Sequence, residues 1–146
     1  MYKHLLIAFD GSELAEKALL QGLELAKSIG ARTSALYVTM PWSSIAIGEV
    51  AVMFPPEEYE TNAAKAAEEQ LGRAAEAARN AGVPCETLHT VDAQPYKSIV
   101  ETAASKSCDL IVLASHGRRG IAGLLLGSVA AKTLVHAHVP VLVYRE

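Results

Sequence analysis

Four things are scarce in this 146-residue sequence: long apolar runs, cysteine, positive charge and the usual catalytic signatures. No stretch approaches the ~20 consecutive apolar residues of a membrane-spanning helix, so no membrane span is expected. The opening Met1-Tyr-Lys-His-Leu-Leu-Ile-Ala-Phe-Asp10 holds an apolar run only from Leu5 to Phe9, too short for a signal peptide and ended by Asp10. The two cysteines, Cys85 and Cys108, form no C-x-x-C pair. Isolated cysteines suit a reducing, cytoplasmic setting and read as small apolar packing residues. Lysine and arginine total 13 against 16 aspartates and glutamates, a net charge of −3. The basic field that grips nucleic acid is missing, and no nucleic-acid partner is expected. His136 and His138 bracket Ala137 and lack the i, i+3 or i, i+4 spacing of helix-borne ligands, so no metal site is indicated.

The missing signatures narrow the field further. There is no G-x-x-x-x-G-K-[ST], hence no lysine set on β- and γ-phosphates. There is no G-x-G-x-x-G after the first strand, where a dinucleotide-binding fold needs it, and no G-x-S-x-G elbow. Asp10-Gly-Ser12 has a faint likeness to pyrophosphate loops of ATP-splitting ligases but lacks their paired glycines, which counts against an adenylate-transferring enzyme.

What is present is 51% hydrophobic and 20% charged, the make-up of a globular chain, read as one domain over residues 1–146. Residues 4–9 read as a strand buried on both faces. Ser12 is a candidate N-cap for a helix whose apolar face carries Ala15, Ala18, Leu19, Gly22, Leu23, Ala26 and Ile29, with Gly30 as its stop. Thr33 to Thr39 is a second strand. Residues 40–57 are apolar but broken by Pro41, Gly48, Pro55 and Pro56. They read either as a long connection folded on the body or as a lid or partner-contact segment. An alanine-rich helix runs from about Glu58 to Ala81. Lys65–Glu69 and Glu69–Arg73 are spaced to pair along it, Gly72 weakens it, and Asn80-Ala-Gly82 ends it. Pro84 to Val91 is a third strand and Gln94-Pro95 opens a helix to about Ser105. Asp109 to Ala114 is a fourth strand, Val129 to Ala137 a last helix, and Val139 to Tyr144 a final strand.

This alternation predicts an α/β fold with a five-stranded parallel sheet, order 3-2-1-4-5, and helices on both faces. Ligands in such sheets bind beyond the carboxyl ends of the strands where the order reverses. Strand one ends there at Asp10 and strand four at Ala114. The stretch after Ala114 has glycines at 117, 120, 123 and 127 and reaches a helix start at Ser128. Strand, glycine-rich loop and helix N-terminus is the arrangement that offers N–H groups to phosphate.

Each residue there has a functional and a plainer reading. Asp10 suits a ribose diol or caps the turn into the first helix. Gly117 and Gly127 provide close backbone approach or a positive φ, or are ordinary loop glycines. Ser128 donates to a phosphate or caps its own helix. Val38 offers backbone groups to a base or belongs to the core. Arg118 and Arg119 meet a polyphosphate or are solvated. His116 abuts the site as a hydrogen-bond partner, and no catalytic role is assigned to it.

The whole chain resembles the universal stress protein family. The family's ATP-binding motif is G-x2-G-x9-G-[ST], and its positions here are Ala114, Gly117, Gly127 and Ser128, with Arg118 to Leu126 as the nine intervening residues. The resemblance implies that Asp10 and Ala114 approach the ribose and Val38 the adenine. It implies that Gly117, Gly127, Ser128 and Val129 bind phosphates, with His116 beside them. It further implies a cytoplasmic homodimer joined through the Val139–Tyr144 edge strand, with ATP or AMP as ligand, with or without Mg2+, and slow hydrolysis at most. Gly120 and Gly123 fall outside the motif and read as loop flexibility. The departure is Ala114 in place of the first glycine. If that position needs a positive φ, alanine costs ~1–2 kcal/mol; if it needs only a small residue, the methyl is tolerated. The alternative is a nucleotide-free member that acts through an unidentified protein partner.

Overall fold

A computed structural model of the chain describes residues 1–45, 48, 53, 55–117, 120 and 125–146. Strands β1 (His4–Phe9), β2 (Arg32–Thr39), β3 (Cys85–Val91), β4 (Leu110–Ala114) and β5 (Val141–Tyr144) form one parallel sheet in the order β3-β2-β1-β4-β5. Helices α1 (Glu13–Ile29), a single turn α2 (Trp42–Ile45), α3 (Pro56–Ala81), α4 (Pro95–Ser105) and α5 (Ser128–His136) connect them.

β1 is central, and its six residues are all buried. Alternation sends Leu5, Ile7 and Phe9 to the face covered by α1 and α3, and Leu6 and Ala8 to the face covered by α4 and α5. Ser12 caps α1 as expected, its hydroxyl accepting the Ala15 N–H at 3.2 Å, and Gly30 ends the helix with φ 68°. α1 lies hard on the sheet at Gly22, where an added Cβ would stand 2.9 Å from Ile7 Cδ1. Cys108 is buried and its thiol is pushed up to about 11, chiefly by that burial, which fits a packing residue. Cys85 is half-buried, and both thiols are free.

α3 has 26 residues, ~39 Å at 1.5 Å per residue, whereas the seven residues of β3 span only ~23 Å. Its buried residues, Ala67, Leu71, Ala74 and Ala78, all lie beyond its first eleven residues. The first turns therefore run past the carboxyl edge of the sheet. Arg73 pairs with Glu16 of α1 at 3.2 Å rather than with Glu69, so the expected pairing along α3 is replaced by one between helices.

The expected last strand is shortened at its start. Pro140 has no N–H to give a ladder; its carbonyl accepts from Ile111 at 3.0 Å, and pairing begins at Val141. The last helix starts one residue early, at Ser128. Most of the 40–57 segment lies outside the described residues. The β1–β2–β3 half grows to one side of β1 and β4–β5 to the other, so the order reverses between β1 and β4.

Candidate functional site

At that reversal β1 ends at Phe9 and the chain turns off through Gly11, at φ 79°. Asp10 holds the turn: its Oδ1 accepts the Ser12 N–H at 3.0 Å. The capping reading of Asp10 is thus realised, and it uses one carboxylate oxygen. The other, Oδ2, faces Gly117, where any side chain would land on it.

The far side is built by Ser115 and Gly127. The Ser115 N–H bonds the Tyr144 carbonyl at 2.8 Å, and its own carbonyl accepts the Gly127 N–H at 2.5 Å. A Cβ on Gly127 would sit 3.0 Å from the Ser115 carbonyl oxygen and 3.1 Å from the His116 Cα, both backbone atoms with little room to give. Gly127 is the N-cap of α5 with φ −71° and offers no side-chain acceptor. Neither motif glycine, 117 or 127, has a positive φ, so close approach is what each supplies. Ser128 is the first helical residue, and its hydroxyl does not cap the helix. The first intrahelical bond is Ala131 N–H to the Gly127 carbonyl, 2.9 Å, which leaves the N–H groups of Ser128, Val129 and Ala130 pointing out of the helix start. Such an end favours an anion.

Two strand ends complete the crevice. In β2 the odd residues face β3: Thr33 N–H reaches the Pro84 carbonyl and the Thr39 carbonyl receives Asp92 N–H. Alternation turns the backbone groups of Val38 toward β1. β1 would have to continue to Gly11 to meet the Val38 carbonyl, and the chain has left by then. The Val38 side chain is half-buried against the α4–α5 core, so its core reading holds as well. In β4, Ile111 and Ser115 face β5, which turns the backbone groups of Ala114 toward β1 from the other side. The Ala114 methyl belongs to the α1-side core with Phe9 and Leu14. Ser107 is the one non-glycine with a positive φ among the described residues, so alanine at 114 carries no backbone strain.

His116 is half-buried, with Nδ1 3.2 Å from Ser115 Oγ. Gly120 is more than a flexible loop residue. Its N–H bonds the Gly117 carbonyl at 2.9 Å, and a Cβ there would collide with the His116 ring. Arg118, Arg119 and Gly123, and with them the polyphosphate reading of the two arginines, lie outside the described residues. At the rim Lys17 bridges Glu13, at 3.3 Å, and Glu146. The Lys17 contact, helped by His116, holds the Glu146 carboxyl below its usual range. Among the described residues no group of three or more His, Cys, Asp or Glu could hold a metal ion, and no helix is long and apolar enough to cross a membrane.

Asp10, Val38 and Ala114 thus stand at the carboxyl ends of β1, β2 and β4, with Gly117 against Asp10, Gly127 against Ser115 and His116, and Ser128 and Val129 in the first turn of α5. The sequence reading missed three features: the positive φ of Gly11, the fit of Gly120 on His116, and a hydrogen bond from Tyr59 to the Met40 carbonyl beyond β2. A glycine directly after a strand-ending aspartate was a usable signal for the first.

The family model described as "Universal stress protein family" matches residues 1–145. Universal stress protein YxiE of Bacillus subtilis is 32% identical over 149 residues, covering 99% of this chain and 100% of YxiE. Among solved structures, hypothetical protein MJ0577 superposes with a TM-score of 0.81 at 25% identity, covering 100% of this chain and 97% of that one. A universal stress protein in complex with cAMP superposes with a TM-score of 0.73 at 28% identity, covering 99% and 97%.

Proposed function

We propose, from the premise that the chain belongs to the universal stress protein family, that it is a cytoplasmic regulatory protein that binds an adenine nucleotide, ATP or AMP. The observation that carries this reading is a pair of close approaches, Gly117 on the Asp10 carboxylate and Gly127 on the Ser115–His116 backbone, the second at the N-cap of α5, where no side chain caps the helix. The similar protein solved with cAMP supports the ligand class. In this reading the Asp10 carboxylate takes the ribose hydroxyls and the Val38 carbonyl the base. The N–H groups of Ser128 and Val129 and the Ser128 hydroxyl take phosphate oxygens, beside His116. Mg2+ would accompany a triphosphate as charge compensation on those oxygens. Hydrolysis is slow at most, since among the described residues no lysine or carboxylate pair is set for phosphoryl transfer.

The exposed edge of β5 supports a homodimer. Leu142 is 44% exposed on the strand, and Val135 is 78% exposed on the neighbouring α5. An open apolar edge is a liability that a second copy removes.

Calorimetry with ATP on the whole chain, on Gly127→Val and on Ala114→Gly tests the reading. The wild type should bind, Gly127→Val should not, and Ala114→Gly should gain nothing, because the methyl lies in the core. No binding by the wild type at millimolar nucleotide overturns it. Binding that appears only in Ala114→Gly would favour a nucleotide-free protein that works through protein partners.

A further inference from the structure

The end of β2 is held by groups that lie outside the phosphate side of the crevice. The Thr39 carbonyl accepts the Asp92 N–H at 3.0 Å, and Thr39 Oγ1 lies 2.8 Å from His89 Nε2. One residue on, the Tyr59 hydroxyl donates to the Met40 carbonyl at 2.7 Å. Tyr59 can do this because α3 overshoots the sheet: its first turns stand above the carboxyl edge, over the point where β2 runs out. Its hydrogen bond spans the junction with residues 40–57.

This support matters because β2 is paired on one side only at this level. β3 keeps its register through Val38↔Thr90 and Thr39↔Val91, while pairing with β1 stops at Phe9↔Tyr37. On the β1 side the Val38 carbonyl has no strand to fix it. A hydrogen bond weakens steeply when its angle departs from linear, so a carbonyl that recognises a base must be held in direction. His89 and Asp92 hold Thr39, and Tyr59 holds Met40, the two residues that follow Val38.

We infer that Tyr59 is a positioning residue: by holding the Met40 carbonyl it aims the Val38 carbonyl at the exocyclic amine of a purine, and so makes the site select 6-amino over 6-oxo purine nucleotides. The inference rests on the adenine-nucleotide reading above. A 6-amino group donates to a carbonyl; a 6-oxo group presents lone pairs to it and is refused.

The test is Tyr59→Phe in the full chain, which keeps the ring and removes the donor. ATP and inosine triphosphate are titrated into wild type and variant, and amide exchange at Asp92 is followed without nucleotide. ATP affinity should fall about three- to tenfold, the range of one lost hydrogen bond, with inosine triphosphate unchanged and the Asp92 amide exchanging faster. An equal fall for both nucleotides makes Tyr59 a merely structural residue and overturns the inference. So does an unchanged Asp92 amide. A wild type that binds both nucleotides equally overturns the selectivity and leaves the nucleotide site standing. A wild type that binds neither removes the nucleotide reading and this inference with it.

Discussion

Gly117 stands so close to Asp10 that a side chain at 117 would occupy the position of the Asp10 carboxylate oxygen Oδ2. The two meet because β1 and β4 are neighbours and both end at the same level of the sheet. The glycine is therefore required by the carboxylate, not by its own backbone, whose φ is not positive.

Replacing Gly117 by alanine should displace the Asp10 side chain and leave the fold intact. Asp10 keeps its bond to the Ser12 N–H only by rotating Oδ2 away from the crevice. ATP affinity should fall about tenfold or more, ~1.4 kcal/mol, with an unchanged far-ultraviolet dichroism spectrum. Full affinity in Gly117→Ala would separate Asp10 from the nucleotide.

The fold was legible because its strands declare themselves. Leu5 to Phe9 and Leu110 to Ala114 are unbroken apolar runs, as strands covered on both faces must be, and Gly30 and Gly82 mark helix ends by a left-handed turn. The candidate site was legible as a spacing, and not as a set of contacts. G-x2-G-x9-G-[ST] gives the positions of Gly117 and Gly127 but says nothing of what crowds them, which is Asp10 in one case and the Ser115 and His116 backbone in the other. Ala114 looked like the weak point because motif position alone cannot say which way a strand residue points. Its methyl goes into the α1-side core. Tyr59 was invisible for a similar reason: its partner is a backbone carbonyl across a long connection, and no side-chain pattern records that.

Two glycines inside helices should respond with opposite sign to the same substitution. At Gly72 an added Cβ meets nothing within 4 Å, so Gly72→Ala should stabilise the chain by roughly 0.5–1 kcal/mol through helix propensity and a restricted unfolded state. At Gly22 the Cβ would press on Ile7 Cδ1 at 2.9 Å and stand 3.4 Å from Val112 Cγ1. Forcing α1 off the sheet should outweigh the propensity gain and cost about 1–3 kcal/mol. Urea unfolding of both variants measures this, and a stabilised Gly22→Ala would show that α1 shifts freely on β1 and β4.

Stability should fall in mild acid because of His4. The residue is only 5% exposed, with ring Nδ1 3.1 Å from the Lys106 carbonyl and Nε2 2.8 Å from Ser34 Oγ. The carbonyl can only accept, so Nδ1 carries the proton and Nε2 accepts from the Ser34 hydroxyl. A second proton, on Nε2, requires the Ser34 hydroxyl to turn from donor to acceptor. Burial lowers the His4 pKa below 6.5, and the charge of Arg32 adds to this; the Lys106 carbonyl and the carboxylates of Asp109 and Glu86 oppose it without reversing it. The unfolded chain therefore takes up this proton at a higher pH than the folded one. The contribution is fully present above about 6.5 and is lost as pH falls through the lower, folded value. Asp109 and Glu86, whose pKa values are also lowered, lose their contributions only in the carboxylate range, at lower pH. The urea midpoint of the wild type should drop between pH 7.5 and 5.5, and His4→Gln, which cannot take up the proton, should flatten that drop. Parallel curves for the two proteins would place the acid sensitivity elsewhere in the molecule.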